Sequence, residues 1–183
     1  MFTASKKKRE NIAEYLLYMW HIEDLIRANL FDIDKIEETI INKYTALTHE
    51  EKKDLREWYE SLIDMMKREG VAESGHIQLN KNVLIELNDL HRRLLSDQKF
   101  ANYAAEFYKT LPFIVELRAK AGENKADEIE TSFNALYGIM LLRMAGKEIS
   151  SETALAAQQI SRFLATLSHY YNLDFNNKLE TPE

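Results

Sequence analysis

The chain has 183 residues, of which 45% are hydrophobic and 30% charged, and its formal net charge at pH 7 is −6. This length suits one domain with one continuous core, and the acidic balance argues against nucleic acid as a main partner, because phosphate binding requires a dense basic surface. The five Gly and two Pro are too few for a turn-rich β fold, and the lack of Cys excludes disulfides and thiolate metal sites.

The chain starts with a basic run, because residues 6–9 read KKKR. We expect residues 1–5 to be loose and a helix to begin within the run. Its first turn should fray, because positive charge opposes the helix dipole at that end.

Residues 11–30, NIAEYLLYMWHIEDLIRANL, carry the strongest helical signal and continue this first predicted helix. At 100° per residue its first half is apolar on nearly every side. A surface helix keeps one broad polar face, so we expect other helices to surround this one and Trp20 to lie in the core.

The next two helices have recognisable starts. Asp32 or Asp34 is expected to cap a short helix that reaches about Tyr44. Thr48 and Glu51 match a capping box, in which each side chain binds the backbone N–H of the other. The box predicts a third helix that runs to about residue 69.

A longer irregular segment follows over residues 70–79, in which Ile77 and Leu79 are expected to turn inward. Asn80 is the predicted N-cap of a fourth helix that ends near residue 95. Asp97 is the predicted cap of the fifth.

Pro112 interrupts the fifth helical pattern. A proline removes a backbone hydrogen bond and clashes with the preceding turn, so the pattern predicts either a kinked helix or a break, with Thr110 as the cap of a new helix. Residues 125–145 predict a long apolar helix. Ser150 or Ser151 is expected to cap the last one.

These patterns predict an all-α, single-domain bundle of seven to eight helices over residues 1–172, with a break or kink at Pro112. The first, seventh and eighth helices should form its centre. Residues 173–183 are polar and are expected to form a disordered tail. No targeting segment is visible and no apolar run approaches the roughly 20 residues that span a bilayer. We therefore expect a soluble, cytoplasmic protein that does not bind membranes.

Three segments, NIAEYLLYMWHIEDLIRA, REWYESLIDMMKREG and KTLPFIVELRAKAG, together resemble a family of small uncharacterised bacterial proteins. Members of that family are helical, have about this length and carry only the label of a domain of unknown function. The resemblance covers nearly the whole chain. It implies a one-domain bacterial protein, and it supplies no activity, cofactor or catalytic residue.

The chemistry-bearing residues form no catalytic constellation. A dinuclear metal site in a helical bundle needs two inward Glu-x-x-His pairs, whereas the one match, residues 73–76, falls in the irregular segment. No Gly-rich nucleotide-binding motif or Ser nucleophile elbow is found. We predict no metal site, no cofactor and no catalytic residue.

A ligand pocket on the first helix is the alternative worth testing. Its candidate residues are Glu14, Tyr18, Trp20, His21, Glu23, Asp24, Arg27 and Trp58. A His beside carboxylates can exchange protons, and Glu23 with Arg27 suits the recognition of an amine or a carboxylate. Aromatic residues at helical spacing, however, more often form core than line a pocket.

Three functions follow in order of preference. The first is a non-enzymatic helical interaction or scaffold module that self-associates as a homodimer, because apolar positions are spread over several helices. The second is a small-ligand-binding bundle with a pocket near Trp20 and His21. The third is an enzyme whose reaction the sequence does not identify.

Overall fold

The computed structural model describes residues 2–120 and 126–179, and in these ranges it contains eight α-helices and no strand. They are Phe2–Glu10 (α1), Ile12–Ala28 (α2), Ile33–Thr39 (α3), His49–Arg68 (α4), Gln78–Ser96 (α5), Ala101–Lys120 (α6), Glu128–Met144 (α7) and Ser151–Phe175 (α8). The predicted all-α class and number of helices are confirmed.

The helices group into two compact units. The first contains the described residues of Met1–Arg9 and Glu14–Asn82, and the second those of Glu10–Ala13 and Val83–Glu183. Helix α5 therefore begins in the first unit and ends in the second. The predicted bounds of one domain over residues 1–172 stay a prediction.

In the first unit, the predicted helix caps are present. The carboxylate of Asp32 accepts hydrogen bonds from the N–H groups of Asp34 and Lys35 at the start of α3. Thr48 and Glu51 form the full capping box at the start of α4. Helix α3 is shorter than predicted, because a separate 3-10 turn, Ile41–Lys43, replaces its last part.

The first predicted helix is in fact two helices. Residues 2–10 form α1, so the prediction of a loose start is wrong for residues 2–5. Asn11 separates the two, because its side-chain oxygen accepts a hydrogen bond from the N–H of Ala13, 3.1 Å away, and so caps a new helix. Helix α2 buries Leu16 and Trp20 almost completely, which confirms the core position of Trp20.

In the second unit, α6 and α8 pack against each other and α7 packs against both. Helix α6 continues through Pro112, so Pro112 lies within one helix and does not separate two. Pro112 is exposed, where water can bind the carbonyl that loses its partner. Thr110 is not a cap; its hydroxyl donates to the carbonyl of Glu106 at 2.8 Å.

The burial of α7 changes along its length. Ile129 and Phe133 are fully buried, whereas Leu142 and Met144 are exposed. The prediction that this whole helix is central is therefore wrong, and only its first half is core. Asp127 caps it, and the predicted start at residue 125 lies outside the described residues.

Helix α8 begins after the cap residue Ser150 and reaches Phe175. The predicted disordered tail over residues 173–183 therefore starts too early, because its first three residues complete the last turn of α8. Residues 180–183 lie outside the described part of the chain. None of the helices in the described ranges has the combined length and apolar character that crossing a bilayer requires.

Candidate functional site

A buried carboxylate on α2 is the centre of the polar contacts in the first unit. Glu23 is fully buried. One carboxylate oxygen, Oε1, accepts from the backbone N–H of Ile77 at 3.0 Å and from Nδ2 of Asn80 at 2.8 Å. The other, Oε2, lies 2.5 Å from Nδ1 of His76. These three partners compensate for the cost of taking the carboxylate out of water.

Trp20 lies one turn before Glu23 and packs against the ring of His76. Its ring stacks on the His76 imidazole with 4.1 Å between centroids and 10° between planes. The side chain of His76 is 23% exposed. The imidazole is therefore fixed in its plane by Trp20 and in its rotation by Glu23, and only its outer edge meets solvent.

Arg27 lies one turn after Glu23 and completes this face of α2. Its guanidinium donates to the carboxylate of Asp24 at 2.8 Å, to the carbonyl oxygen of Val71 at 3.1 Å and to that of Gly75. We call residues 71–77 the strap. Side chains at three successive turns of α2 thus bind the strap, because spacings of three and four residues place them on one helix face.

The predicted candidate residues divide into two groups. Trp20, Glu23, Asp24 and Arg27 come together around the strap. The structure shows no hydrogen bond, ion pair or ring contact with the strap for the remaining four candidates, Glu14, Tyr18, His21 and Trp58, all of which it describes.

The residues of the second group differ in their contacts. Glu14 pairs with Lys7 at 2.8 Å. Trp58 packs edge-on against Tyr59. Burial raises the pKa of Tyr18 to about 12, with a smaller contribution from Tyr44. The Nδ1 atom of His21 is buried and has no hydrogen-bond partner in the described structure.

His76 and Asn80, the partners of Glu23, were missed as site residues. Asn80 is not the predicted N-cap; it is the third residue of α5, and its amide donates to Glu23. The first N–H of α5 is instead bound by the carboxylate of Glu69 at 2.5 Å. Leu79 is 42% exposed, contrary to the prediction, whereas Ile77 is buried as predicted. A buried Glu requires a partner, but nothing in the sequence identifies a residue more than 50 positions away.

The main role of this cluster is structural: it fixes the strap and the start of α5 on α2. Every hydrogen bond of Glu23 goes to the strap or the start of α5. Burial, and after it the negative charge of Glu23, raise the pKa of the neighbouring Tyr15, so its phenol stays protonated. Across the residues that the structure describes, no three His, Asp or Glu side chains converge as metal ligands do.

The second unit contains its own buried histidine. His91 is 5% exposed, and its Nδ1 lies 2.5 Å from the hydroxyl of Tyr103. The rings of Phe107 and Phe163 stand edge-on to it. Burial lowers the pKa of His91 and raises that of Tyr103. At neutral pH the imidazole and the phenol are therefore both uncharged, and one hydrogen bond joins them.

The second half of α7, the connection that follows and the start of α8 form an apolar surface. We call residues 134–156 the hairpin tip. All of these residues are described, and none of them is buried. Leu142, Met144 and Leu155 are 46%, 62% and 63% exposed. The other large apolar residues of the tip are Leu136, Tyr137, Ile139, Met140, Leu141 and Ile149.

An open groove of about 390 Å³ runs along this surface between α7 and α8. Its α7 side is formed by Leu136, Ile139, Met140, Arg143 and Met144, and its α8 side by Ala154, Ala157, Gln158 and Ser161. The groove thus combines thioether and branched apolar side chains with one guanidinium.

Four charged residues lie on the hairpin tip, two of each sign. Arg143 and Lys147 are at and just beyond the end of α7, and Glu148 and Glu152 are just before and at the start of α8. Glu116 and, to a smaller extent, Glu152 raise the pKa of Lys120 on α6. The side chains of the other three charged residues form no hydrogen bond or ion pair with any residue in the described ranges.

The chain belongs to the family described as a domain of unknown function (DUF4924), because the model of that family matches residues 1–178. The resemblance of the three sequence segments to a helical family of this description is confirmed. Comparisons with curated proteins and with solved structures find no match.

Proposed function

We propose that this member of the DUF4924 family is a non-enzymatic helical interaction module and that the hairpin tip is its docking surface. The observation that carries the proposal is the apolar character of residues 134–156, every one of which is half-buried or exposed. Monomeric proteins rarely expose contiguous apolar patches larger than a few hundred Å², and larger patches usually mark a binding surface.

Leaving this apolar surface in water has an energetic cost. Each Å² of apolar surface removed from water is worth about 25 cal/mol. Leu142, Met144 and Leu155 are all at least 46% exposed. A partner that covers them gains this energy without first unfolding any part of the chain. Met140 and Met144 add flexible side chains, which adapt well to a partner surface.

The alternative of a ligand pocket near Trp20 and His21 has less support. Glu23 and Arg27, its recognition residues, already bind the strap and α5. Trp20 is stacked on His76 and is 1% exposed. As part of the proposal we take the protein to be cytoplasmic, because a chain without Cys suits a reducing compartment.

The test is site-specific photo-crosslinking in the native host cells. A photoreactive phenylalanine analogue replaces Leu142 in the hairpin tip, and in a matched control it replaces Val115 on α6. Both residues are apolar, helical and about half exposed. We expect discrete covalent adducts from position 142 and none from position 115. No adduct from position 142, or the same adducts from both positions, contradicts the proposal.

A further inference from the structure

We propose that the partner of the hairpin tip is a second copy of this chain. In this dimer, which has two-fold symmetry, the end of α7 in each copy packs against the start of α8 in the other. The inference rests on the proposed function and names its partner. It is argued from the distribution of charge on the tip.

The overall charge of the chain restricts where two copies can meet. The net charge is −6, so most surfaces of two copies repel each other. The hairpin tip is different, because its two basic and two acidic residues balance. It is an apolar surface without net charge, and such a surface can face its own copy at no net electrostatic cost.

The order of these charges determines how the copies pack. A two-fold interface uses the same patch on both subunits, so each contact occurs twice. The basic residues, Arg143 and Lys147, belong to the end of α7, and the acidic residues, Glu148 and Glu152, to the start of α8. Crosswise packing of α7 on the partner's α8 therefore places basic side chains over acidic ones in both halves of the interface. Parallel packing of α7 on α7 places like charges together.

Crosswise packing also satisfies charges that lack partners in one chain. Arg143, Lys147 and Glu148 make no ion pair with any other described residue. Arg143 borders the groove between α7 and α8, where an acidic side chain from the second copy can reach the guanidinium while apolar side chains fill the rest.

A charge-reversal experiment tests this packing. The acidic variant carries Arg143→Glu and Lys147→Glu, and the basic variant carries Glu148→Lys and Glu152→Lys. In a dimer of either variant with itself, like charges face each other in both halves of the interface. In a mixed dimer of the two variants, opposite charges face each other. By sedimentation velocity at low salt, we expect each variant alone to dimerise at least about tenfold more weakly than the wild type. The equimolar mixture should recover wild-type affinity within about threefold.

Controls separate folding and surface effects from pairing. All four positions are exposed, and circular dichroism checks that each variant keeps its helical content. Because Glu152 also acts on Lys120, a second basic variant carries Glu148→Lys alone. A mixture that associates no better than its components overturns the proposal.

The mass of the crosslinked adducts separates failure of this inference from failure of the proposed function. An adduct at twice the chain mass of 21.4 kDa supports the second copy. Adducts of other masses only, with a wild type that stays monomeric, overturn the second copy and leave the interaction module standing. A monomer without adducts overturns both.

Discussion

Glu23 illustrates how one buried charge can organise a segment that has no regular structure. The strap joins the backbone hydrogen bonds of α4 and α5 at its two ends, Val71 and Ile77, and side chains from α2 add further contacts to it. Glu23 provides acceptors for the N–H of Ile77 and the amide of Asn80, and it also fixes His76. Arg27 provides donors for the strap carbonyls. Side chains of α2 thus pair both an N–H group and carbonyl oxygens of the strap backbone.

Replacement of Glu23 tests this role. Glu23→Ala should lower the free energy of unfolding by about 3 kcal/mol, because it leaves buried donors without acceptors. Urea denaturation measures the loss, and hydrogen exchange at the Ile77 amide should accelerate. Glu23→Gln keeps one acceptor oxygen, so its cost should be about half as large. If Glu23→Ala unfolds at the wild-type urea concentration, the strap is held by other contacts.

His91 gives the second unit a pH dependence. Burial lowers its pKa below the ordinary 6.5; Glu128 and Asp127 oppose this shift and Arg92 adds to it. The folded state therefore prefers the neutral imidazole. His91 contributes its full stability above about pH 6.5 and loses it as the pH falls through the lower folded pKa.

As the pH falls, the free energy of unfolding should decrease more steeply for the wild type than for His91→Gln. The Gln amide can donate to or accept from the Tyr103 hydroxyl, but it does not titrate. Between about pH 7 and pH 5, the extra slope should not exceed that of one proton, about 1.4 kcal/mol per pH unit. Urea denaturation at several pH values measures it. Parallel curves for the two proteins would show that the pKa of His91 is the same in the folded and unfolded states.

At the scale of the elements, the sequence predicts helix caps, which are local, but not contacts between residues far apart in the chain. Thr48 with Glu51 and Ser150 cap helices where the sequence predicts them, because a cap involves only residues two or three positions apart. Asp97 is also a cap, but of the 3-10 turn Gln98–Phe100 that precedes α6. Asn80 shows the limit of this reasoning. It is a good cap residue by type, but its distant contact with Glu23 determines its role.

The candidate site was predictable in one half only. The helical spacing of α2 places Trp20, Glu23 and Arg27 on one face, and the structure uses that face. The other half is the strap, whose loop conformation is set by tertiary contacts that have no periodic pattern. The sequence also does not show that the burial of α7 ends after Phe133, because the second half of the helix is more apolar than the first.

Two glycines in helical contexts should respond to alanine with opposite signs. Gly70 follows α4 with φ of +68°, and the N–H of the next residue, Val71, donates to the carbonyl of Met66 at 3.0 Å. An alanine there is strained by about 1–2 kcal/mol. Gly138 lies inside α7, and an added Cβ meets no atom within 4 Å. An alanine there should stabilise the fold by about 0.5–1 kcal/mol.

Thermal and urea denaturation of Gly70→Ala and Gly138→Ala at one protein concentration measure the two effects. The two variants control for each other, since both add a single methyl group. A loss of stability in both, or a gain in both, would contradict the backbone geometry assigned to one of them.

At the scale of the whole molecule, the two ends of α7 meet different surroundings. The first part buries Ile129 and Phe133, whereas the hairpin tip has no buried residue and leaves Leu142, Met144 and Leu155 exposed. An element that is apolar on every side is normally buried on every side. The second half of α7 is apolar on most sides and yet is not buried, and in the proposed dimer the second copy covers it.

Dimerisation through the tip makes thermal stability depend on protein concentration, because the associated state gains stability by mass action. For a chain of this length, a hundredfold increase in concentration should raise the wild-type Tm by roughly 2–4 °C. Leu142→Asp should abolish this dependence, since it places a charge in the apolar interface. Val115→Asp adds the same charge at a comparably exposed position on α6 and should keep it. Differential scanning calorimetry over the concentration range decides the matter: a wild-type Tm that does not change with concentration means that the tip does not pair with its own copy in solution.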